Sequence, residues 1–438
     1  MRVRRAQVRS VPVAIVLLSS LALLLAACGT GPSSSSGGTH KATPVTVGVV
    51  APFTGNQAFI GTFFGAACSA AAYVVDQAGG VLGGKMTCAH VDNTGDPADA
   101  EPNVARAIAT LSNFDLAVGL DSATAAVTVP LVENAHIPLV TLNGLSQYDN
   151  NTNQYFWRVE PDDTNQGAAL AAYTLQRGLH NVAVVFANLG SSESEVSGTI
   201  TGLKNLGVHT TITLNIPSDA TSYASEVTRV ISSHPQAIIM DGDPQTETTF
   251  FTQYKQLSNG HVPPLITTTD LLSTSFTSAM TKNLGASFVQ HDIAFLGYYF
   301  SNNATAMSQY KNALEKLLPK KEAETDLTLS GLPTEYDGII VAALAMTMAH
   351  STNGPTYNAD ILKVSEGGPG AVVVHTYAAG LAALKAGKSI QYVGVDGAFH
   401  FNASHNVSGQ FQVFDQTSSS GSSTIATVTP ALVTQALG

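Results

Sequence analysis

Charge is scarce in this chain. Asp, Glu, Lys and Arg make up 12% of 438 residues, and the 20 basic residues are outnumbered by 31 acidic ones, for a formal charge of −11. No basic patch is available to hold a nucleic-acid backbone or to lay the protein flat on an anionic membrane. The acidity itself reads as solubility. Cysteine is scarcer still, at three. Metal binding needs more ligands than that, and the 12 histidines are scattered, with the nearest pair, His400 and His405, at no recognised ligand spacing. Catalytic signatures are missing as well: no Gly-x-Ser-x-Gly elbow, no His-Glu-x-x-His, no phosphate loop and no Gly-x-Gly-x-x-Gly. Ser146 and the serines at 191–192 have no neighbouring base, and no pair of carboxylates is marked for acid–base work. The chain therefore reads as a non-enzyme, with no metal and no cofactor expected.

The N-terminus carries what little positive charge is concentrated. Arg2, Arg4, Arg5 and Arg9 precede an apolar run at 11–25 that ends Leu25-Ala26-Ala27-Cys28. The run is short for a membrane span of about 20 residues. A basic start, a short apolar stretch and small residues before a cleavage point make a secretory signal over residues 1–27; an uncleaved anchor is the plainer alternative. The Leu-Ala-Ala-Cys ending resembles a bacterial lipobox, which implies that Cys28 is lipidated. Losing the four leader arginines takes the formal charge from −11 to −15. Residues 28–43, with GTGPSSSSGGTHKAT after the cysteine, read as a flexible tether. The expected location is extracytoplasmic, lipid-anchored to the bacterial cell membrane.

Hydrophobic residues supply 44% of the chain, enough for a substantial core. A length of this order, at about 150 residues per domain, predicts two or three domains. Val45, Val47, Val49 and Val50 form an uncharged β-branched run, as a strand buried on both faces would. Pro52 and Gly55 end it, and Phe64, Ala67, Cys68, Ala71, Ala72 and Val75 then recur at helical spacing. Gly79-Gly80 closes that helix, and 85–91 reads as a second strand. Cys68 and Cys88 fall on this helix and this strand; they are either disulfide-bonded or two buried thiols.

The strand–loop–helix cycle continues with strands at 114–119, 137–142 and 155–159. After a break at Glu160-Pro161-Asp162-Asp163 it resumes with strands at 181–186, 210–214, 237–240, 265–268 and 293–300. Asp96-Pro97 looks like a helix cap, but Pro102 moves the expected start to near Glu101. Further helices are expected at 304–318, 336–350 and 370–386, and a last strand at 409–414; the serine-rich stretch at 417–424 and the end look peripheral. Such alternation implies parallel sheets covered by helices, in two series. Ligands bind open α/β sheets at loops leaving the carboxyl ends of strands, where free helix N–H groups favour anions. The first such loop is 52–61.

The words APFTG, Ala58 with Gly61, AGGVLGGK and the aspartates of VDNTGDPADA resemble solute-binding proteins of branched-chain amino-acid ABC transporters. The resemblance covers about 44–415. It implies an α/β fold of two Rossmann-like lobes, with parallel sheets flanked by helices and joined by a three-segment hinge: the type I periplasmic-binding-protein fold. Mapped by the family's crossings, the first lobe takes 44–160 plus 297–395, and the second 161–296 plus 396–438. The cleft would lie between the carboxyl ends of the two sheets and close on its ligand.

The resemblance also nominates site residues. Gln57, Ala58 and Phe59 stand where the family lines the cleft mouth. Ser122, Ala123 and Thr124 match its loop that holds a ligand carboxylate, a role compatible with plain helix capping by Ser122. Thr141 and Asn143 follow the fourth strand, where the family supplies another carbonyl and hydroxyl. In the second lobe, Ser191 stands about where amino-acid binders carry a tyrosine, and the loop holding Asp243 lacks their aromatics. Asp270 sits near the acidic residue that pairs with a ligand ammonium in those binders, or else it caps the next helix. Tyr298 and Tyr299 are a cleft wall or ordinary core tyrosines. With the aromatic cage depleted, amides, urea-like solutes, aromatic acids and other small polar metabolites stay open beside amino acids.

The reading that results is an extracytoplasmic solute-binding receptor. It captures a small polar metabolite, an amino acid, amide or related compound, by cleft closure and delivers it to an ABC importer. Its partners are the small-molecule solute and the importer's membrane permease; no nucleic acid is involved, and the protein is a monomer. The alternative is a ligand-sensing receptor of the same fold not coupled to transport. A secreted hydrolase, and a surface lipoprotein without a ligand site, are further rivals.

Overall fold

Val45, Val47, Val49 and Val50 are fully buried in β1 (Val45–Ala51), which lies between two other strands in a five-stranded sheet. The computed structural model describes residues 42–438 apart from 56, 273, 300–302, 321, 324–326, 328–330 and 419–420. The leader, Cys28 and the tether up to residue 41 lie outside the described residues. After β1 come α1 (Ala58–Gln77), β2 (Met86–Asp92), α2 (Pro97–Thr110), β3 (Phe114–Gly119), α3 (Ala125–Asn134), β4 (Leu139–Thr141) and β5 (Phe156–Arg158). The strands pair in parallel in the order β2-β1-β3-β4-β5. Successive residues of β1 point to opposite faces, so Val47 and Val49 enter the core under α1, while Val50 joins Val104 and Val129 under α2 and α3. The chain turns out of α1 through Gly79 and Gly80, at φ 106° and 74°, where a side chain would be strained. Cys68 of α1 and Cys88 of β2 are joined by a disulfide across a Cα separation of 6.2 Å.

The second sheet follows. Its elements are α4 (Asp163–Gln176), β6 (Asn181–Ala187), α5 (Gly190–Asn205), β7 (His209–Ile216), α6 (Ala224–Ser232), β8 (Ala237–Asp241), α7 (Pro244–Leu257), β9 (Leu265–Thr268), α8 (Thr274–Leu284), α9 (Ala286–His291) and β10 (Ile293–Tyr298). The chain then returns to the first sheet with α10 (Ala304–Leu317), α11 (Leu332–Ala349), α12 (Gly354–Glu366), β11 (Val372–Val374), α13 (Tyr377–Lys385) and β12 (Ile390–Tyr392). Residues 332–347 of α11 are all buried, as a helix apolar all round must be. The chain ends in β13 (Phe411–Ser418), β14 (Gly421–Val428) and α14 (Pro430–Leu437). The second sheet runs β14-β13-β10-β9-β8-β6-β7, with β13 antiparallel to both its neighbours. The chain is thus an α/β protein of two lobes, each a parallel-rich sheet between helices. It passes between them after β5, after β10 and before β13. Phe399 and Val407 belong to the first sheet's core and Phe411 to the second's.

Three expectations are corrected. Helix α2 starts at Pro97, not near Glu101. The Asp96 carboxylate accepts from the Ala98 N–H at 2.9 Å, and proline suits the first helical position; Pro102, one turn in, forfeits only its own bond. Residues 370–386 are not one helix. Three successive valines form β11, paired with β12, and α13 begins only after Thr376 caps it. The C-terminal segment is not peripheral: Val428, Val433 and Ala436 are buried against α4 and α5. The stretch on either side of residues 419–420 belongs to the antiparallel strands β13 and β14.

The Cys68–Cys88 bond closes a loop of 20 residues, for which chain entropy gives about 3 kcal/mol. Reduction with dithiothreitol is expected to lower the urea midpoint accordingly, and a Cys68→Ser/Cys88→Ser variant to match the reduced protein. An unchanged midpoint on reduction contradicts this.

Candidate solute-binding cleft

The carboxyl ends of both sheets open on one cavity of about 420 Å³, within the size range of small-molecule sites. Its first-lobe wall is built by the loops after β3 and β4. The Asp121 carboxylate accepts from the Thr124 N–H at 3.0 Å, from the Thr124 hydroxyl at 2.7 Å and from the Asn93 amide. Those bonds curl the loop so that Ser122 and Ala123 face the cavity. Leu120 is held there at φ 85°, a conformation costly for a non-glycine residue, while its N–H donates to the Val50 carbonyl at 2.8 Å. The Thr141 hydroxyl donates to the Gly119 carbonyl at 2.7 Å and accepts from the Asn143 N–H at 3.0 Å, fixing the two loops together. Asn143 is 3% exposed. Its Oδ1 accepts from the Leu145 N–H at 3.3 Å, which assigns the amide, and its Nδ2 has no hydrogen-bond partner. An unpaired buried donor costs about 1–3 kcal/mol.

The second-lobe wall comes from the starts of α4 and α5. Asp162 caps α4 by accepting from the Asn165 N–H at 2.7 Å, leaving Asp163 and Gln166 on the cavity. Asp163 touches the opposite wall, where its N–H donates to the Gly144 carbonyl at 2.9 Å. A Cβ on Gly144 would lie 1.8 Å from Asp163 Oδ1, so any other residue there would have to displace the Asp163 carboxyl. Helices α4 and α5 also pack through glycine: a Cβ on Gly198 would lie 2.0 Å from the Thr164 carbonyl, and one on Gly167 2.2 Å from that of Glu195. That close packing brings Glu195 beside Gln166 on the cavity. The Tyr298 hydroxyl donates to Gln166, and Glu160, after β5, completes the rim.

Of the residues nominated from sequence, Gln57, Ser122, Ala123, Asn143 and the cleft-wall candidate Tyr298 line the cavity. Ala58 is the first residue of α1, with Ile60 and Phe64 of the same helix on the wall. Thr124 and Thr141 are fully buried behind it and hold the loops. Asp243 caps α7, accepting from the Gln245 and Thr246 N–H groups at 2.9 Å, and is not among the lining residues. The side chains of Phe59, Ser191 and Asp270 lie outside the described residues. Asp121, Gly144, Glu160, Asp163, Gln166 and Glu195 were not anticipated; the acidic break at 160–163 was the available signal. No cluster of three or more His, Cys, Asp or Glu placed to hold a metal occurs among the described residues. No helix among them is long and apolar enough to cross a membrane. A second cavity, of about 460 Å³, lies at the amino ends of the first sheet's strands, between Leu82, Thr347 and Leu384.

The sequence pattern of the periplasmic binding protein family matches residues 44–421. The chain belongs to that family. No curated protein matches the chain in sequence. Among solved structures, this periplasmic binding protein is similar to the leucine binding protein LivK of Thermotoga maritima, with 18% identity, a TM-score of 0.68, and 88% of this chain and 99% of that one covered. It is similar to LivJ, a branched-chain amino acid transporter substrate binding protein from Streptococcus pneumoniae solved with isoleucine (15% identity, TM-score 0.66, 88% and 99% covered). A third relative, a solute binding protein of an ABC transporter from R. palustris, was solved with 4-hydroxybenzoate (16% identity, TM-score 0.66, 88% and 97% covered). At these identities the likeness establishes the type I periplasmic-binding fold. Family and fold are those of solute-binding proteins, not enzymes.

Behind the first-lobe wall, α11 carries two buried carboxyls. Burial pushes Glu335 up to about 8, with the Gly119 N–H opposing it, and pushes Asp337 up to about 7 against bonds from the Asp396 N–H and the Tyr392 hydroxyl. Both sit above the unfolded carboxyl range, so the folded state holds protons that the unfolded chain has released. Their stabilising contribution is complete below about pH 4 and is lost as pH rises through 7 to 8. The urea midpoint is expected to fall between pH 5 and pH 9, and to fall less in Glu335→Gln. A midpoint that rises over that window contradicts the assignment.

Proposed function

We propose that this protein is an extracytoplasmic receptor that captures one small polar metabolite between its lobes and delivers it to the permease of an ABC importer. The observation that carries the reading is the cavity. Strand-end loops of one lobe and helix starts of the other meet on a single space of small-molecule size, in a chain whose family binds solutes. The solved relatives bear on the ligand class: one is a leucine binding protein, one was solved with isoleucine and one with 4-hydroxybenzoate, so an amino acid, an amide or an aromatic acid is in range.

In this reading Asn143, Ser122 and Ala123 contact the solute, with Gln57 at the mouth, while Thr124 and Thr141 position their loops. The lobes divide near Glu160, near Gly297 and between Val395 and Phe411, and closure about these three passages traps the guest. The leader is removed, and lipidated Cys28 and the tether hold the receptor at the membrane as a monomer, near its permease. In this reading the cleft releases its guest chemically unchanged.

A cognate solute binds only the folded state and raises its stability by about 2.7 kcal/mol at a hundredfold excess over Kd. A panel of amino acids, amides and aromatic acids screened by thermal denaturation is expected to yield at least one such shift. Asn143→Ala is expected to weaken that solute about tenfold by calorimetry, the worth of one hydrogen bond at about 1.4 kcal/mol. A panel without any shift, or a variant binding at full strength, contradicts the site.

A further inference from the structure

The charge on the cavity wall points to a narrower solute class than the fold does, an inference that rests on the receptor reading above. Four carboxylates line the space: Asp121 and Glu160 from the first lobe, Asp163 and Glu195 from the second. All are nearly buried, at 8%, 5%, 6% and 3% exposure. No lysine, arginine or histidine is among the described residues lining it. Asp121 is committed to Asn93 and Thr124, and the other three have contacts of their own within the protein. What matters is the sign they share: when ionised, they make both faces of the space negative. They are too dispersed to form a metal cluster.

The independent pointer to a ligand is Asn143. Asn143 lines the same cavity; its Nδ2 is buried and unpaired, while its Oδ1 is fixed by Leu145. That donor calls for an acceptor on the guest, a carbonyl or a carboxylate. Ser122, on the neighbouring loop, adds a hydroxyl on the same wall. An anionic guest satisfies the Asn143 donor but brings like charge against the carboxylates, which repels it. A guest with a cationic end satisfies both.

We propose that the cleft selects a small solute of net positive charge. It carries an ammonium, amidinium or guanidinium group for the carboxylates of Glu160, Asp163 and Glu195, and a carbonyl or carboxylate acceptor for Asn143. Basic amino acids and their amides have that shape; aliphatic amino acids have the acceptor without the net charge, and benzoate-like acids carry the opposite charge.

The test is isothermal titration of the full protein with compounds differing in charge. L-arginine, L-lysine and L-lysinamide represent the cationic class, L-leucine and L-glutamine the neutral one, and L-glutamate and 4-hydroxybenzoate the anionic one. The cationic class is expected to bind at least a hundredfold tighter than the others. Glu195→Gln and Asp163→Asn are each expected to weaken the tightest cationic ligand at least tenfold, with the apo melting temperature recording whether each variant folds. Should one variant fail to fold, the other and the wild-type ranking still decide. Tight binding of a neutral or anionic compound in preference to the cations overturns the charge assignment and leaves the receptor reading standing. No binding in any class overturns both.

Discussion

One buried guanidinium determines how the two lobes are joined. Arg158, the last residue of β5, is fully buried and is the single cation in the buried core of the described residues. Its Nη1 donates to Asp149 at 2.8 Å and its Nη2 to the Leu145 carbonyl at 3.1 Å, with Asp162 at 3.7 Å. Its backbone bonds the returning chain: the Arg158 N–H donates to His405, and the Val407 N–H donates to Arg158. Asn406 donates to the carbonyls of Tyr148 and Asp149, and His405 stacks on Trp157. The chain segments of the first and third passages between the sheets are thereby held side by side. Removing the guanidinium would leave carboxylates buried without compensation, the most damaging way to break such a network.

From that junction the electrostatics of the cleft follow. Asp149 and Asp162 share Arg158 and stay on the hinge side. Two residues further along α4, Asp163 and Gln166 turn to the cavity, and the glycine contacts of Gly144, Gly167 and Gly198 bring Glu195 and the first-lobe loops within reach of them. Carboxyls gathered on both walls of one cleft are an arrangement whose cost falls when a cation enters. The same geometry supplies selectivity, because a guest of the wrong sign meets repulsion as well as lost contacts.

The first lobe was legible in the sequence because its signals are local. β-branched runs, Gly79-Gly80 and the loop words around Ser122 and Asn143 each specify structure within a few residues. The second cleft wall was less so. Analogy placed Ser191, Asp243 and Asp270 there from strand-end loops and offered Tyr298; Tyr298 lines the described wall together with Asp163, Gln166 and Glu195 on the starts of two helices, Asp243 does not, and the side chains of Ser191 and Asp270 lie outside the described residues. Which face those helices present depends on backbone contact at Gly167 and Gly198, a long-range fact with no signature in composition or spacing. The misread helix at 370–386 has the opposite cause. There the apolar run was continuous, and three valines plus the Thr376 cap divided it into strand and helix.

The account stands on where the guest sits. A crystal structure of the protein with the tightest solute bound tests it most directly. The predicted result is density in the space between the lobes, with an acceptor atom within hydrogen-bond distance of Asn143 Nδ2 and a cationic nitrogen facing Glu195 and Asp163. Solute seated in the other cavity, between Leu82 and Leu384, or an empty cleft in a saturated crystal, would contradict it.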